Sequence, residues 1–361
     1  MKRMKIAGAA LLTAALLGNA ALAAESGQTF DFERDDGGFT PVFADYPAGG
    51  MDDFYELRYQ WTQLPDKDGR GLFLSGSNHS DDLFMGCSKE ISGLTAGQLY
   101  EFHVTFRLAT NVDGGMIGVG GSPGSSVFVK GGVTALRPHS GIDAHNQYRL
   151  NIDKGNQGTG GCDMLLLGNL EKEESRRPGE YEWKSFEFTM QAKADEAGCA
   201  YLILGTDSGF EAVSSYYLDD IALDWSECRE TAITRGAAVR MMYDTVQPGP
   251  SGEPSFPDIG ADSPDRGAIG WAQESGLVNG YGTGRFGAED ALTVPQALAI
   301  LYRYAGSPAV GENGADQGRV PAWAKDAAAW ALQNGLISEN DLTNDASVSE
   351  YVFTRAWRAI N

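Results

Sequence analysis

The chain is predicted to form two domains: an all-β sandwich, jelly-roll-like, followed by an all-α bundle of helix–loop–helix repeats. Across residues 30–225, short runs such as 99–108, 181–190 and 216–225 alternate apolar with polar side chains. Glycine pairs (Gly114-Gly115, Gly120-Gly121, Gly131-Gly132) stand between them. Alternation with period two marks a strand with one buried face, and paired glycines mark tight turns. After about Ser226 the pattern changes to alanine-rich segments with apolar residues at helical spacing: Val239, Met242 and Tyr243, then Leu298, Leu301 and Tyr302. A length of 361 residues with 42% hydrophobic content suffices for two cores.

The first 23 residues read as a secretory leader. Lys2, Arg3 and Lys5 precede an apolar stretch over 6–17, and Ala21-Leu22-Ala23 is a small-x-small cleavage site. The mature chain is expected to begin near Ala24 or Glu25, placing the β domain at 24–226. With 28 Lys+Arg against 49 Asp+Glu the net charge is -21, which argues against nucleic acid and anionic membranes as partners. No later apolar run is long enough to span a bilayer. Cys87, Cys162, Cys199 and Cys228 allow three pairings; the sequence does not choose among them, and free buried thiols stay equally open.

The last third repeats itself. Trp271-Ala272 with Gly276-Leu277-Val278 returns 59 residues later as Trp330-Ala331 with Gly335-Leu336-Ile337. Thr234-Arg235 before an apolar helix returns as Thr293-Val294, and more faintly as Ser347-Val348. Gly276 and Gly335 fall where a helix end needs positive φ, and Thr293-x-x-Gln296 and Ser347-x-x-Glu350 are expected capping boxes. A partial unit at 230–247, a full one at 255–306 and a divergent one at 319–361 follow. A single helix pair cannot bury its apolar faces, so the units must pack together. Core packing is the expected role of Trp271 and Trp330.

The segments Ser255-Phe-Pro-Asp-Ile259, Ala268-Ile-Gly-Trp-Ala272 and Gly276-Leu-Val-Asn-Gly-Tyr-Gly-Thr-Gly-Arg-Phe-Gly287 resemble an S-layer homology repeat. The resemblance covers about residues 230–361. It implies three helix pairs in a pseudo-threefold bundle that binds secondary polymers of a bacterial cell wall without covalent attachment. It further implies that an arginine at the start of the second helix contacts an acidic, often pyruvylated, sugar. Carried onto this chain, the wall-polymer residues are Thr234, Arg235, Asn279, Gly280, Tyr281, Arg285 and Thr293. Only the first unit keeps the arginine, so one basic contact is expected rather than three. The alternative for Arg235 is a solvated residue at a helix start.

In the β domain, residues 30–37 and 216–223 are similar to the paired terminal strands of carbohydrate-binding jelly rolls. That likeness implies a structural calcium on Glu33 with Asp219 or Asp220, oxygen ligands that suit the ion. Tyr55, Tyr59 and Trp61 are expected on one strand face, either as a glycan platform or as core. Asn78-His79-Ser80-Asp81-Asp82 is the most polar cluster, readable as acid/base or metal-binding groups or as an Asx-type turn. No GxSxG, HExxH or phosphate loop occurs, so catalysis is the less expected reading. The sequence therefore points to a secreted bacterial surface protein held on wall polymer by its repeats, with a glycan-binding sandwich. The alternatives are a wall-anchored polysaccharide hydrolase and a structural surface-layer component.

Overall fold

A computed structural model describes residues 26–65, 67–173, 178–311, 319–337, 342–343 and 346–361; the expected leader lies outside them. The strands are β1 (Ser26–Phe30), β2 (Thr40–Ala44), β3 (Tyr46–Pro47), β4 (Arg58–Gln63), β5 (Arg70–Ser77), β6 (Leu83–Ile91) and β7 (Leu99–Thr110). They continue as β8 (Val127–Thr134), β9 (Ser140–Ile142), β10 (Gln147–Leu150), β11 (Leu165–Asn169), β12 (Glu182–Lys193), β13 (Ala200–Ser208) and β14 (Val213–Cys228). The helices are α1 (Arg235–Val246), α2 (Arg266–Glu274), α3 (Val294–Tyr304), α4 (Lys325–Gln333) and α5 (Glu350–Arg358).

Two antiparallel sheets face each other, one ordered β12-β7-β14-β5-β4 with β1 added to β14, the other β11-β8-β13-β6-β2. In β7 the alternation works as read: Phe102, Val104, Phe106 and Leu108 point into the core while Glu101 and His103 face solvent. They meet Leu218, Ile221 and Leu223 from β14 and Met85, Cys87, Leu202 and Leu204 from the second sheet. Burying this apolar surface stabilises the fold at roughly 25 cal/mol per Å² removed from water. Tyr216 is also buried, and its hydroxyl donates to the Met85 carbonyl at 2.7 Å. A bulge between Asp219 and Ala222 lets β14 change partner: residues 213–218 pair with β5 and 221–225 with β1, while β7 runs along the other side. The short β3-β10-β9 sheet lies beyond the second large sheet, where Ala44, Phe84, Ile152, Met164 and Ile203 form a satellite core. All four cysteines are free thiols.

The helical core gathers Ile233, Val239, Met242, Ile269, Leu292, Leu298, Leu301 and Phe353, with Trp271, Trp330 and Trp357 buried among them. Its symmetry is set by the residues before α1, α3 and α5. Ile233 N–H donates to Val348 O, Val348 N–H to Leu292 O, and Leu292 N–H to Ile233 O, which closes a ring of three hydrogen bonds on a pseudo-threefold axis. Isolated bridges repeat the same relation as Ala232 with Ser349, Thr234 with Ala291, and Thr293 with Ser347.

This ring corrects the expected third unit. The residue matching Thr234 and Thr293 is Ser349, whose side chain accepts from Val352 N–H and caps α5; Ser347 lies two residues outside the helix. The position equivalent to Arg235 and Val294 is therefore Glu350, not Val348. Thr234 caps α1 by accepting from Ala237 N–H at 3.1 Å, and at α3 the Thr293 N–H donates to Gln296 Oε1 at 3.2 Å.

Helix α2 packs on α1 and α4 on α3. The helix that would pack on α5 in the same way belongs to the first unit, which has none. The sandwich supplies the contact instead: Asp163 Oδ1 pairs with Arg355 at 2.8 Å, Lys193 pairs with Glu230 at 2.8 Å, and Lys193 also lies over the Tyr351 ring.

Candidate functional site

A groove of about 380 Å³ opens between the units, lined by Arg235, Asn279, Gly280, Tyr281, Gln296, Ile300, Arg303 and Trp323 among others. The loop after α2 forms one wall. Asp258 pins it, because its two carboxylate oxygens accept from Phe286 N–H at 2.8 Å and Gly287 N–H at 2.7 Å. Gly280 fits only without a side chain, since a Cβ would lie 2.7 Å from the Phe256 ring and 2.9 Å from Arg285 O.

Arg235 is 5% exposed and ties α1 to this loop. Its Nε–H donates to Phe286 O at 3.0 Å and its Nη2 to Asn279 O at 3.4 Å, and the guanidinium lies 4.8 Å from both the Tyr281 and Phe286 rings. Burial pulls it below the ordinary arginine value while Tyr281, Asp290 and Asp258 pull the other way; a guanidinium stays charged regardless. Arg235 is thus not a solvated helix-start residue. The opposite wall is one face of α3, where Gln296, Ile300 and Arg303 follow helical spacing and Arg303 Nη1 donates to Leu277 O at 2.9 Å. Trp323, 59% exposed, stands at the rim on a short turn, Ala322–Ala324.

Of the residues expected from sequence, Arg235, Asn279, Gly280 and Tyr281 line the groove. Thr234 and Thr293 serve as helix caps instead, and Arg285 turns to Asp290 at 2.7 Å. Arg303 and Trp323 are not marked by any motif in the sequence, and Gln296 is expected there only as the capping partner of Thr293. The spacing of 296, 300 and 303 on a capped helix was the available signal for two of them. The groove carries two guanidinium groups and no carboxylate among its lining residues, on a chain of net charge -21.

The symmetry-related positions differ. Val294 lies in a cavity of mixed lining, where Leu336, Ile337 and Val352 stand with Lys193, Arg355 and the Glu230 carboxylate. Glu350 lies in a cavity where α5 meets Thr189 and Gln191 of the sandwich. Of these three cavities, only the first carries cations with no carboxylate in its lining.

Residues 255–293 match the sequence model of the S-layer homology domain. This part of the chain is an S-layer homology domain. Arg235, Gln296, Arg303 and Trp323 lie outside the matched stretch, so the groove is built by the S-layer homology segment together with the helices on either side. No curated protein matches the chain. Among solved structures, the tandem CBM22-1-CBM22-2 domain of Paenibacillus barcinonensis Xyn10C is similar at 13% identity, over 59% of this chain and 50% of that one, with a TM-score of 0.30. A family 11 carbohydrate-binding module from Clostridium thermocellum is similar at 8% identity, over 55% and 94%, with a TM-score of 0.26. The enzymatically active domain of bacteriophage CBA120 tailspike protein 4 is similar at 9% identity and a TM-score of 0.27; the match covers 55% of this chain and only 20% of the tailspike chain.

In the sandwich the expected platform does not form. Tyr55 precedes β4 in a turn and is 2% exposed, because Glu56 at φ 50° breaks the strand before it. Tyr59 donates to Phe39 O at 3.1 Å and Trp61 to Phe32 O at 2.7 Å, both turned inward, with Arg70 over the Trp61 ring. A different aromatic group occupies the outer face of the six-stranded sheet: Phe73 and Tyr217 at 4.9 Å, Tyr181 against Tyr217 at 5.6 Å, and Trp183 under Lys67 and Arg107. Two of the three acids expected to hold calcium meet cations of the chain itself. Asp219 Oδ2 takes Lys67 at 2.7 Å and Asp220 takes Arg107 at 3.2 Å, while Asp219 Oδ1 is buried without a hydrogen-bond partner. The Asn78–Asp82 segment is an Asx-type turn, Ser80 N–H donating to Asn78 Oδ1 at 3.0 Å, while His79 stacks on Phe54.

Asp258 gives a pH prediction. Partial burial pushes its carboxyl up, but the Gly287 and Phe286 N–H donors and Arg285 outweigh this and hold it below the usual carboxylate range. Its stabilising contribution is complete above the unfolded value of about 3.9 and is lost as pH falls through the folded one. In a urea series, Asp258→Ala is expected to lower stability at pH 6 by about 1–2 kcal/mol and to flatten the acid limb; an unchanged acid limb counts against the clamp.

Proposed function

We propose that this is a bacterial surface protein retained on an acidic cell-wall polysaccharide through the groove around Arg235. The S-layer homology domain implies surface anchoring, and the carboxylate-free pairing of Arg235 with Arg303 beneath an exposed tryptophan carries the choice of ligand. Guanidinium forks fit carboxylates such as those of pyruvylated sugars, while the Trp323 face suits the C–H surface of a pyranose. The expected leader is consistent with export, and no helix among the described residues is long and apolar enough to cross a membrane.

The test is co-sedimentation of the full mature protein with purified Gram-positive-type walls, before and after the secondary polymer is stripped. Retention is expected only on unstripped walls and to weaken with salt, because salt screens the local attraction between the two guanidinium groups and the anionic partner. Trp323→Ala and Arg303→Gln are each expected to weaken retention about tenfold, ~1.4 kcal/mol; Trp323→Ala leaves thermal stability unchanged, whereas Arg303→Gln lowers it somewhat because Leu277 O loses its donor. Equal pelleting on stripped walls, or wild-type retention by both variants, overturns the assignment.

A second reading concerns the sandwich: the Phe73, Tyr181, Tyr217 and Trp183 group supports glycan binding on the outer sheet face. Quenching or enhancement of Trp183 emission by neutral oligosaccharides, abolished in Tyr217→Ala, is the expected result; no change across a glycan panel removes this reading.

A further inference from the structure

The second large sheet holds a buried ionic cluster that the groove does not use. Lys130 on β8 and Asp207 on β13 are both 0% exposed, with Nζ and Oδ2 2.8 Å apart. Lys130 is paired with Gly205, so Asp207, two residues along the neighbouring strand, shares its face of the sheet. Lys130 Nζ also donates to Lys154 O at 2.8 Å, which holds it in place. Lys154 Nζ reaches the same Asp207 oxygen at 2.7 Å and Asp45 at 3.0 Å, and Arg149 neutralises Asp45 at 2.6 Å. The other Asp207 oxygen, Oδ1, is buried without a hydrogen-bond partner. A fully ionised Lys–Asp pair in so dry a place carries a large desolvation penalty, and an orphaned carboxylate oxygen adds to it.

We propose that Lys130 and Asp207 join through an intramolecular isopeptide bond. One proton moves within the pair to leave a neutral amine and a carboxylic acid. The Nζ lone pair then attacks Cγ of Asp207; the N–C bond forms, the bond from Cγ to one carboxyl oxygen breaks, and that oxygen leaves as water with a proton relayed from nitrogen. The atoms balance as amine plus acid giving amide plus water, and no oxidant or cofactor is consumed.

The surroundings supply each role. Burial pulls the Lys130 ammonium below its ordinary value despite the pull of Asp207 the other way, which favours the nucleophilic amine. Lys154 is held up as an ammonium by Asp207, Asp45 and Asp82 against the opposing effect of burial, so it donates to the oxygen on which charge develops. Asp82, 3.7 Å from Lys154, is pushed up to about 7, first by burial, and carries a proton to relay near neutral pH. Holding amine and acid in contact replaces a bimolecular encounter, an advantage measured in effective molarities of roughly 10⁵ M or more in favourable cases.

The experiment is the intact mass of the purified, folded full chain, followed by peptide mapping. The expected result is a mass lighter by one water than the processed sequence, and a branched peptide joining the Lys130 segment to the Asp207 segment, uncleaved by trypsin at Lys130. Asp82→Asn, folded by circular dichroism, is expected to retain the water. Full mass in the wild-type protein overturns the proposal, as does a lost water mapped to an aspartyl succinimide or to Lys154. These outcomes are read on the wild-type chain, so they stand even if Lys130→Arg, the obvious control, fails to fold.

Discussion

Arg235→Ala is expected to abolish retention on wall polymer and to loosen the groove that makes the contact. The substitution removes one of two cations and leaves Phe286 O and Asn279 O without their donor. Phe286 O is buried, and leaving it unpaired costs about 1–3 kcal/mol, whereas Asn279 is exposed and water can replace its donor. It also withdraws the planar group packed between Tyr281 and Phe286, so the loop loses its anchor to α1. Retention should fall by two orders of magnitude or more, and the thermal midpoint should drop with it. Arg235→Lys restores the charge without the planar fork and should recover stability only in part. Val294→Ala and Glu350→Ala, at the symmetry-related positions, are expected to leave retention unchanged. Equal losses at all three positions would sink the single-site account.

Arg355→Ala should have the largest effect on stability. Asp163 is 3% exposed and Arg355 is its charged partner at 2.8 Å, across the surface where the sandwich stands in for a missing helix. Removing one member of a buried pair leaves the other charge uncompensated, at about 3–5 kcal/mol; Arg355 is 31% exposed, so the lower figure applies. Calorimetry should then resolve two unfolding transitions for the variant and a single one for the wild type. Asp163→Ala on top of Arg355→Ala should cost little more, giving a coupling energy well above zero. An additive double mutant, or a single transition at the wild-type midpoint, contradicts the shared interface.

Much of this architecture was readable from residue order alone. Strand β7 shows itself because burial alternates with polarity in register, and α1 and α3 because a threonine cap precedes a helical apolar stripe. The third unit misled because Ser347 and Ser349 offer two hydroxyls and the repeat shortens there from 59 residues to 56; only the ring through Ile233, Leu292 and Val348 selects the second. Tyr55, Tyr59 and Trp61 looked coplanar because a positive φ at Glu56 leaves no compositional trace. Arg303 and Trp323 were invisible as a pair because they come from successive units that meet only in three dimensions. Lys130 and Asp207 carry no signal in the sequence, since no local pattern tells a buried charge from a solvated one once its partners are distant in sequence.

The placing of β14 has a mechanical meaning. This strand lies inside the six-stranded sheet, hydrogen-bonded to β7 on one side and to β5 and then β1 on the other, and only six residues separate its end at Cys228 from the first residue of α1. A pull between an anchored bundle and whatever the sandwich grips therefore enters the sheet along the axis of an interior strand. The load falls in shear on many ladder bonds at once, the geometry that resists extension far better than peeling an edge strand bond by bond.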